Sequence, residues 1–179
     1  MLDREIDAYS LSKAQFLDWM KFLPSLSTKT INIKIEHIYG TLDDDSKFIY
    51  WFINQLQQDV EVIDLTTGIQ KRDFVYIDDV VSAYNVITKN IESFADYEEF
   101  EIGSDNPMPV KEIVNKIYTK VLNYKKIRTK LNFGAVKYRN NEKMELTLDT
   151  SRIKALGWSA NVDLDDGIDK IIDEIFIKI

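Results

Sequence analysis

The sequence contains no cysteine, a single histidine, three prolines and six glycines, and its apolar residues never run uninterrupted for long. Without cysteine there is neither a disulfide framework nor a thiolate metal site, and a reducing compartment is the simpler reading. So few prolines and glycines exclude collagen-like and linker-dominated chains. Met1-Leu2-Asp3-Arg4-Glu5 mix charges where a signal peptide needs a basic start and an apolar run. No stretch approaches the ~18 apolar residues that span a bilayer, so the expected chain is cytoplasmic with no membrane partner. Positive charge is in deficit too: 23 Lys+Arg against 30 Asp+Glu leave a formal net charge of −7. Neutralising phosphates along a nucleic acid needs a concentrated basic face, so nucleic acid is not the expected partner, while local basic pockets remain possible.

What is present is enough to fold. At 179 residues, 45% hydrophobic and 12% aromatic, the chain fits one domain over residues 1–179 with a filled core. From Tyr9 to Leu23, Leu11, Phe16, Leu17, Trp19, Met20, Phe22 and Leu23 spread around most of a helical wheel before Pro24, which predicts a helix buried on more than one side. Thr30 to Glu36 alternates isoleucines with Asn32, Lys34 and Glu36, the pattern of a strand with one packed and one more polar face, ending at Tyr39-Gly40. Asp43-Asp44-Asp45 then precedes an apolar helical run from Phe48 to Leu56; the triplet reads as a capped helix start rather than a metal site, which would need further oxygen ligands. Val60–Leu65 and Asp73–Ile77 read as strands around a Thr-Thr-Gly turn, and Asp78-Asp79 opens a helix through Ile87. Phe100-Glu101-Ile102 is a strand, Val110 to Val121 a helix, and Leu164 to Ile179 a helix with a single apolar stripe. Residues 126–148 are polar and irregular, with short strand candidates at Lys130–Phe133 and Glu145–Leu148. The alternation is α/β in type.

Tyr9 and Lys13 stand four residues apart, one turn apart on one helical face. A neighbouring cation favours phenolate and lowers a tyrosine's pKa, which makes such a pair useful for proton exchange. The spacing alone is weak: nine tyrosines and 18 lysines in this length give about one such pair by chance.

Further segments give it support. Tyr9-x-x-x-Lys13, Glu36-His37-Ile38-Tyr39-Gly40, Gly68-Ile69-Gln70-Lys71-Arg72-Asp73-Phe74-Val75-Tyr76-Ile77-Asp78-Asp79-Val80, Phe100-Glu101-Ile102-Gly103-Ser104 and Leu156-Gly157-Trp158 follow in order. Together they resemble the successive signatures of the extended short-chain dehydrogenase/reductases, the NAD-dependent epimerase/dehydratase enzymes that act on nucleotide sugars. Lys47-Phe48-Ile49-Tyr50-Trp51 and Gln70 to Asp79 are most similar to reductases that make dideoxy sugars, of the CDP-abequose synthase type. One family feature is missing. The glycines lie far apart, at 40, 68, 103, 134, 157 and 167, so the turn on which glycines admit a dinucleotide pyrophosphate is not found. Only eight residues precede Tyr9, so the family's upstream catalytic Ser/Thr is not found either. The resemblance therefore implies the C-terminal part of a Rossmann-like fold, by a truncated gene, a separate subunit or a trimmed chain. It would hold a partial parallel sheet with flanking helices, over residues 1–40 and 60–105, and a small α/β substrate-binding region over 41–59 and 106–179.

Carried over by position, Tyr9 matches the catalytic tyrosine and Lys13 the lysine that tunes it and bonds the nicotinamide ribose. Tyr39 and Gly40 match the turn beside the nicotinamide. Arg72 matches an arginine that grips the substrate diphosphate, where a planar guanidinium engages two oxygens at once. Arg139 falls near a second such arginine, and Lys47 is a further candidate for the nucleotide. His37 replaces a common asparagine that holds the diphosphate, and both a structural and a substrate-binding role stay open for it. Asp73 reads as a partner within its turn and Asp78 as a helix cap. The implied substrate is a nucleotide-diphosphate sugar and the implied reaction is NAD(P)-dependent reduction or oxidation at hexose C4. Epimerase, 4,6-dehydratase and a non-catalytic sugar-nucleotide-binding module are the alternatives. NAD or NADP is expected for the complete enzyme and not for this chain alone, and a homodimer through the Tyr9–Leu23 helix is expected.

Overall fold

The structure is a computed structural model that describes residues 8–23, 28–145 and 147–177. In chain order the elements are α1 (Ala8–Phe22), β1 (Thr30–Ile35), β2 (His37–Tyr39), α2 (Phe48–Gln57), β3 (Val62–Leu65), β4 (Lys71–Arg72), β5 (Phe74–Tyr76), α3 (Ile77–Lys89), β6 (Tyr97–Ile102), β7 (Met108–Pro109), α4 (Val110–Val121), β8 (Lys130–Phe133), α5 (Ser151–Ala155) and α6 (Leu164–Ile177). The α/β expectation holds, with parallel strands flanked by helices.

β1 runs parallel to β6, with Ile35 opposite Ile102, and β2 runs parallel to β5, with His37 opposite Phe74. Only Glu36 separates β1 from β2, so the chain changes sheet partner at that residue. β3 pairs in parallel with β8, and β4 pairs antiparallel with β7, Arg72 opposite Met108. Crevices at the carboxyl ends of parallel strands that diverge are where ligands of such sheets bind.

Two apolar cores support this frame. One joins α2, α4 and α6 to β2, β3 and β5 around Phe52, Ile53, Leu56, Ile113, Ile117 and Ile171. The other joins α3, β6 and α5 around Val80, Ala83, Phe100, Ile102, Ile153 and Trp158. Each fully buried side chain of this size contributes about 1.5–3 kcal/mol relative to exposure. The register of α4 on α6 is read from three contacts at one repeat: Lys116 on Asp165 at 2.7 Å, Lys120 on Asp169 at 2.7 Å, and the Tyr124 hydroxyl, just past the end of α4, on Asp173 at 2.7 Å. Gly167 lets α6 close on β2, since a Cβ there would stand 2.1 Å from the Tyr39 hydroxyl oxygen.

Several expectations are corrected. α1 fully buries no residue, and Phe16 and Trp19 are 61% and 65% exposed, so most of its wide apolar wheel is uncovered within these residues, its contact being with β1. The residue capping α2 is Lys47, without a side-chain cap; Asp44 instead accepts from the Ser46 N–H and Asp45 from Asn54. Asp78 lies inside the first turn of α3, whose N-cap is Tyr76, so it is not the cap. Residues 145, 147 and 148 form no strand. Pro24, Leu146 and Ile179, each part of an expected boundary or element, lie outside the described residues. Among the described residues, no group of acidic and histidine side chains could hold a metal ion, and no helix is long and apolar enough to cross a membrane.

Candidate functional site

Arg72 stands at the wall of a cleft of about 310 Å³ that also meets His37, Trp51, Gln70, Phe133 and Glu142. The turn before it is set by Gly68, whose φ of +72° belongs to the left-handed region that glycine adopts without strain. There its carbonyl accepts from the Lys111 N–H at 2.9 Å, fixing the turn to the start of α4. The arm from 134 to 145 is tied to the same turn by one phenol: Tyr138 donates to the Gln70 side-chain oxygen at 2.7 Å, accepts from the Ile69 N–H at 3.1 Å and lies 2.7 Å from the Thr67 hydroxyl.

The Arg72 side chain is 11% exposed, and both terminal nitrogens of its guanidinium bond to the chain itself. It donates to the Lys71 and Lys143 carbonyls at 2.7 and 2.8 Å and forms an ion pair with Glu142. A fork of donors beside a wall of Phe48, Trp51 and Phe133 suits a ligand that carries both anionic oxygens and a flat apolar ring. Arg139 does not join it: the residue is exposed and its carbonyl accepts from the Glu142 N–H. That arm instead brings the Glu142 carboxylate and the Lys143 carbonyl to Arg72, and no sequence motif marks Glu142.

Asp73, next along, is a structural partner, although across the fold rather than within its own turn as expected. Its carboxylate accepts from the backbone N–H groups of Ser104 and Asp105, at 3.0 and 3.1 Å, and from the Ser104 hydroxyl. It thereby holds the loop after β6 against β5.

Glu36 and His37 occupy the point where the strand changes partner. The Glu36 side chain is 6% exposed, its Oε1 lies 3.5 Å from His37 Nδ1, and both atoms are buried without a hydrogen-bond partner. Burial pushes the Glu36 carboxyl above its ordinary value. Burial, followed by the Arg72 charge, holds the His37 imidazole below its own. The His37 ring stacks at a tilt on Phe74, 5.1 Å between centroids.

His37 also lines a second cleft, of about 500 Å³, with Glu36, Tyr39, Gly40, Lys47 and Ile77. Tyr39 is almost fully buried and donates to the Asp163 carbonyl at 3.4 Å, and burial, then the neighbouring Tyr76, pushes its phenol up. Lys47 is exposed at the rim. The structure thus brings His37, Arg72, Tyr39, Gly40 and Lys47 to two adjoining clefts. Tyr9 and Lys13 are both exposed on α1, with Lys13 Nζ 5.5 Å from the Tyr9 ring centre, and line neither cleft.

Residues 2–103 match the model of the NAD dependent epimerase/dehydratase family. The chain belongs to that family. It is 37% identical over 168 residues to the CDP-abequose synthase of Salmonella muenchen, covering 92% of this chain and 55% of that one. It is 33% identical over 177 residues to the dTDP-4-dehydro-6-deoxyglucose reductase of Escherichia coli, covering 96% and 53%. The chain thus spans about half the length of the curated relatives it matches. Among solved structures, the UDP-glucuronic acid 4-epimerase of Bacillus cereus, in complex with UDP-glucuronic acid and NAD, superposes with a TM-score of 0.77 at 20% identity over 100% of this chain and 55% of that one. That likeness establishes the Rossmann-like fold. Members of the family bind NAD(P) and nucleotide sugars. The residues of this chain fit a dinucleotide in part only: Tyr39, Gly40 and Lys13 are candidate contacts, and the spaced glycines supply no turn for its pyrophosphate.

Proposed function

We propose that this chain is the nucleotide-sugar-binding portion of an oxidoreductase acting at C4 of a nucleotide-linked hexose, in deoxysugar formation. The observation that carries the reading is the Arg72 cleft: a nearly buried guanidinium whose anionic partner, Glu142, is a carboxylate on a loop rather than part of a core, beside an aromatic wall. A diphosphate brings more charge to that guanidinium than one carboxylate does, and a base can lie against Trp51 or Phe133. Reduction is favoured over epimerisation or dehydration by the relatives at 37% and 33% identity, which are a CDP-abequose synthase and a 4-dehydro-6-deoxyglucose reductase. Tyr9 is assigned the proton exchange with the C4 oxygen and Lys13 the tuning of Tyr9.

The test is calorimetric titration of the chain with CDP, UDP and dTDP. Binding is expected, strongest for one base, and Arg72→Lys weakens it by about 1–3 kcal/mol, the range for a charged hydrogen bond. A dissociation constant unchanged by Arg72→Lys would overturn the assignment of this cleft.

A further inference from the structure

Among the described residues, three buried side-chain polar atoms lack a hydrogen-bond partner, Thr30 Oγ1, Glu36 Oε1 and His37 Nδ1, and the last two lie 3.5 Å apart. Buried polar atoms are ordinarily paired, so two orphaned atoms this close to one another call for a physical explanation. They sit where the strand leaves β6 for β5, and His37 is shared by the two clefts, with Arg72 in one and Tyr39, Gly40 and Lys47 in the other. His37 is 37% exposed although its Nδ1 is buried, so the ring edge that carries Nε2 is the one that meets the clefts.

We propose that Glu36 is a positioning residue that keeps the His37 proton on Nδ1, so that Nε2 is a hydrogen-bond acceptor for a hydroxyl of the substrate's hexose. The inference rests on the nucleotide-sugar reading of the Arg72 cleft and adds to it the recognition of the sugar. Glu36 Oε1 is an acceptor 3.5 Å from Nδ1, and a small rotation of the ring turns that approach into a hydrogen bond. A neutral imidazole in that tautomer has no proton on Nε2 and turns a lone pair outward. Such an atom repels a phosphate oxygen and attracts a hydroxyl, so His37 cannot hold a diphosphate as an asparagine amide would. Four charged groups act on the ring: Glu36 beside it on its own strand, and Arg72, Asp73 and Glu142 from the elements packed against it. Of these, Arg72 disfavours the imidazolium, in line with a neutral ring. A group placed between the diphosphate at Arg72 and the second cleft is the hexose of a nucleotide sugar.

The chain has one histidine, so its ring nitrogens give unambiguous signals. The experiment is a long-range proton–nitrogen spectrum of the labelled chain at pH 7.5, together with titrations of CDP and CDP-glucose. Nδ1 is expected to be protonated and Nε2 bare in the native chain, and Glu36→Leu is expected to move the proton to Nε2. A proton on Nε2 in the native chain would overturn the pairing, and that spectrum decides the matter even if Glu36→Leu does not fold. CDP-glucose is expected to bind roughly tenfold tighter than CDP, one hydrogen bond's worth. His37→Ala should abolish that difference, CDP-glucose then binding no tighter than CDP. Loss of CDP affinity in His37→Ala would overturn the hexose assignment in favour of a phosphate contact. If neither ligand binds, the nucleotide-sugar reading and the hexose assignment fail together, and the Nδ1 result still stands or falls by itself.

Discussion

Arg72 and Glu142, seventy positions apart, form an ion pair at the wall of the 310 Å³ cleft, and the guanidinium makes its remaining bonds to the Lys71 and Lys143 carbonyls. A diphosphate at this guanidinium therefore competes with the Glu142 carboxylate. Glu142→Gln keeps the shape and removes the competing charge, so it should strengthen binding of a nucleoside diphosphate by about 1–2 kcal/mol. Calorimetry on the variant checks this, and weaker binding would mean that Glu142 itself holds the ligand.

Glu36 sets a pH dependence of stability. Its proton is held more tightly in the folded chain than in the unfolded one, so its contribution is full below the ordinary carboxyl value of 4.5 and is lost as pH rises above it. Glu36→Gln cannot ionise and escapes that loss. Its melting temperature should exceed that of the native chain at pH 7 and match it near pH 4. A gain of equal size at both values would mean that desolvation of the carboxylate is not the cause.

Gly167 is required by the close approach of α6 to Tyr39. A Cβ would stand 2.1 Å from the phenol oxygen and 2.7 Å from the ring carbon bearing it, and the ring is wedged between Phe74 and Tyr76. Gly167→Ala should cost about 1–3 kcal/mol, the range for overpacking a core. Thermal melts measure it; an unchanged midpoint would show that the ring can move aside.

α1 presents Leu11, Phe16 and Trp19 to solvent, and large exposed apolar side chains grouped on one helix mark association. A second copy of the chain is the proposed occupant. Light scattering across dilution should show a dimer, and Trp19→Glu should shift it to monomer. A native monomer at micromolar concentration with a buried Trp19 indole would contradict this.

Much of the frame was legible because it rests on local periodicity. The stripe of Val110, Ile113, Val114, Ile117 and Val121 gave α4, and Leu164, Ile168, Ile171, Ile172 and Ile175 gave α6. Arg72 and the clefts' Tyr39 and Gly40 came from ordered motifs. Glu36 was misread for a physical reason: alternation with Asn32 and Lys34 assigns it to the polar face, whereas the switch from β1 to β2 turns it inward. Glu142 lies in an irregular arm whose path is set by the Tyr138 hydrogen bonds, and no period in the sequence encodes those. The exposure of α1 was missed because a wide apolar wheel reports that a helix needs partners, not that this chain supplies them.

The three tryptophans report on whether the Arg72 cleft receives a nucleoside diphosphate. Trp51 lines the cleft, Trp19 is exposed on α1, and the Trp158 indole donates to the Ser82 hydroxyl at 2.7 Å in the other core. In a proton–nitrogen spectrum of the labelled chain, adding CDP should shift the Trp51 indole signal and leave those of Trp19 and Trp158 in place, and Arg72→Lys should require more CDP for the same shift. A Trp51 signal unmoved at saturating CDP would contradict the account.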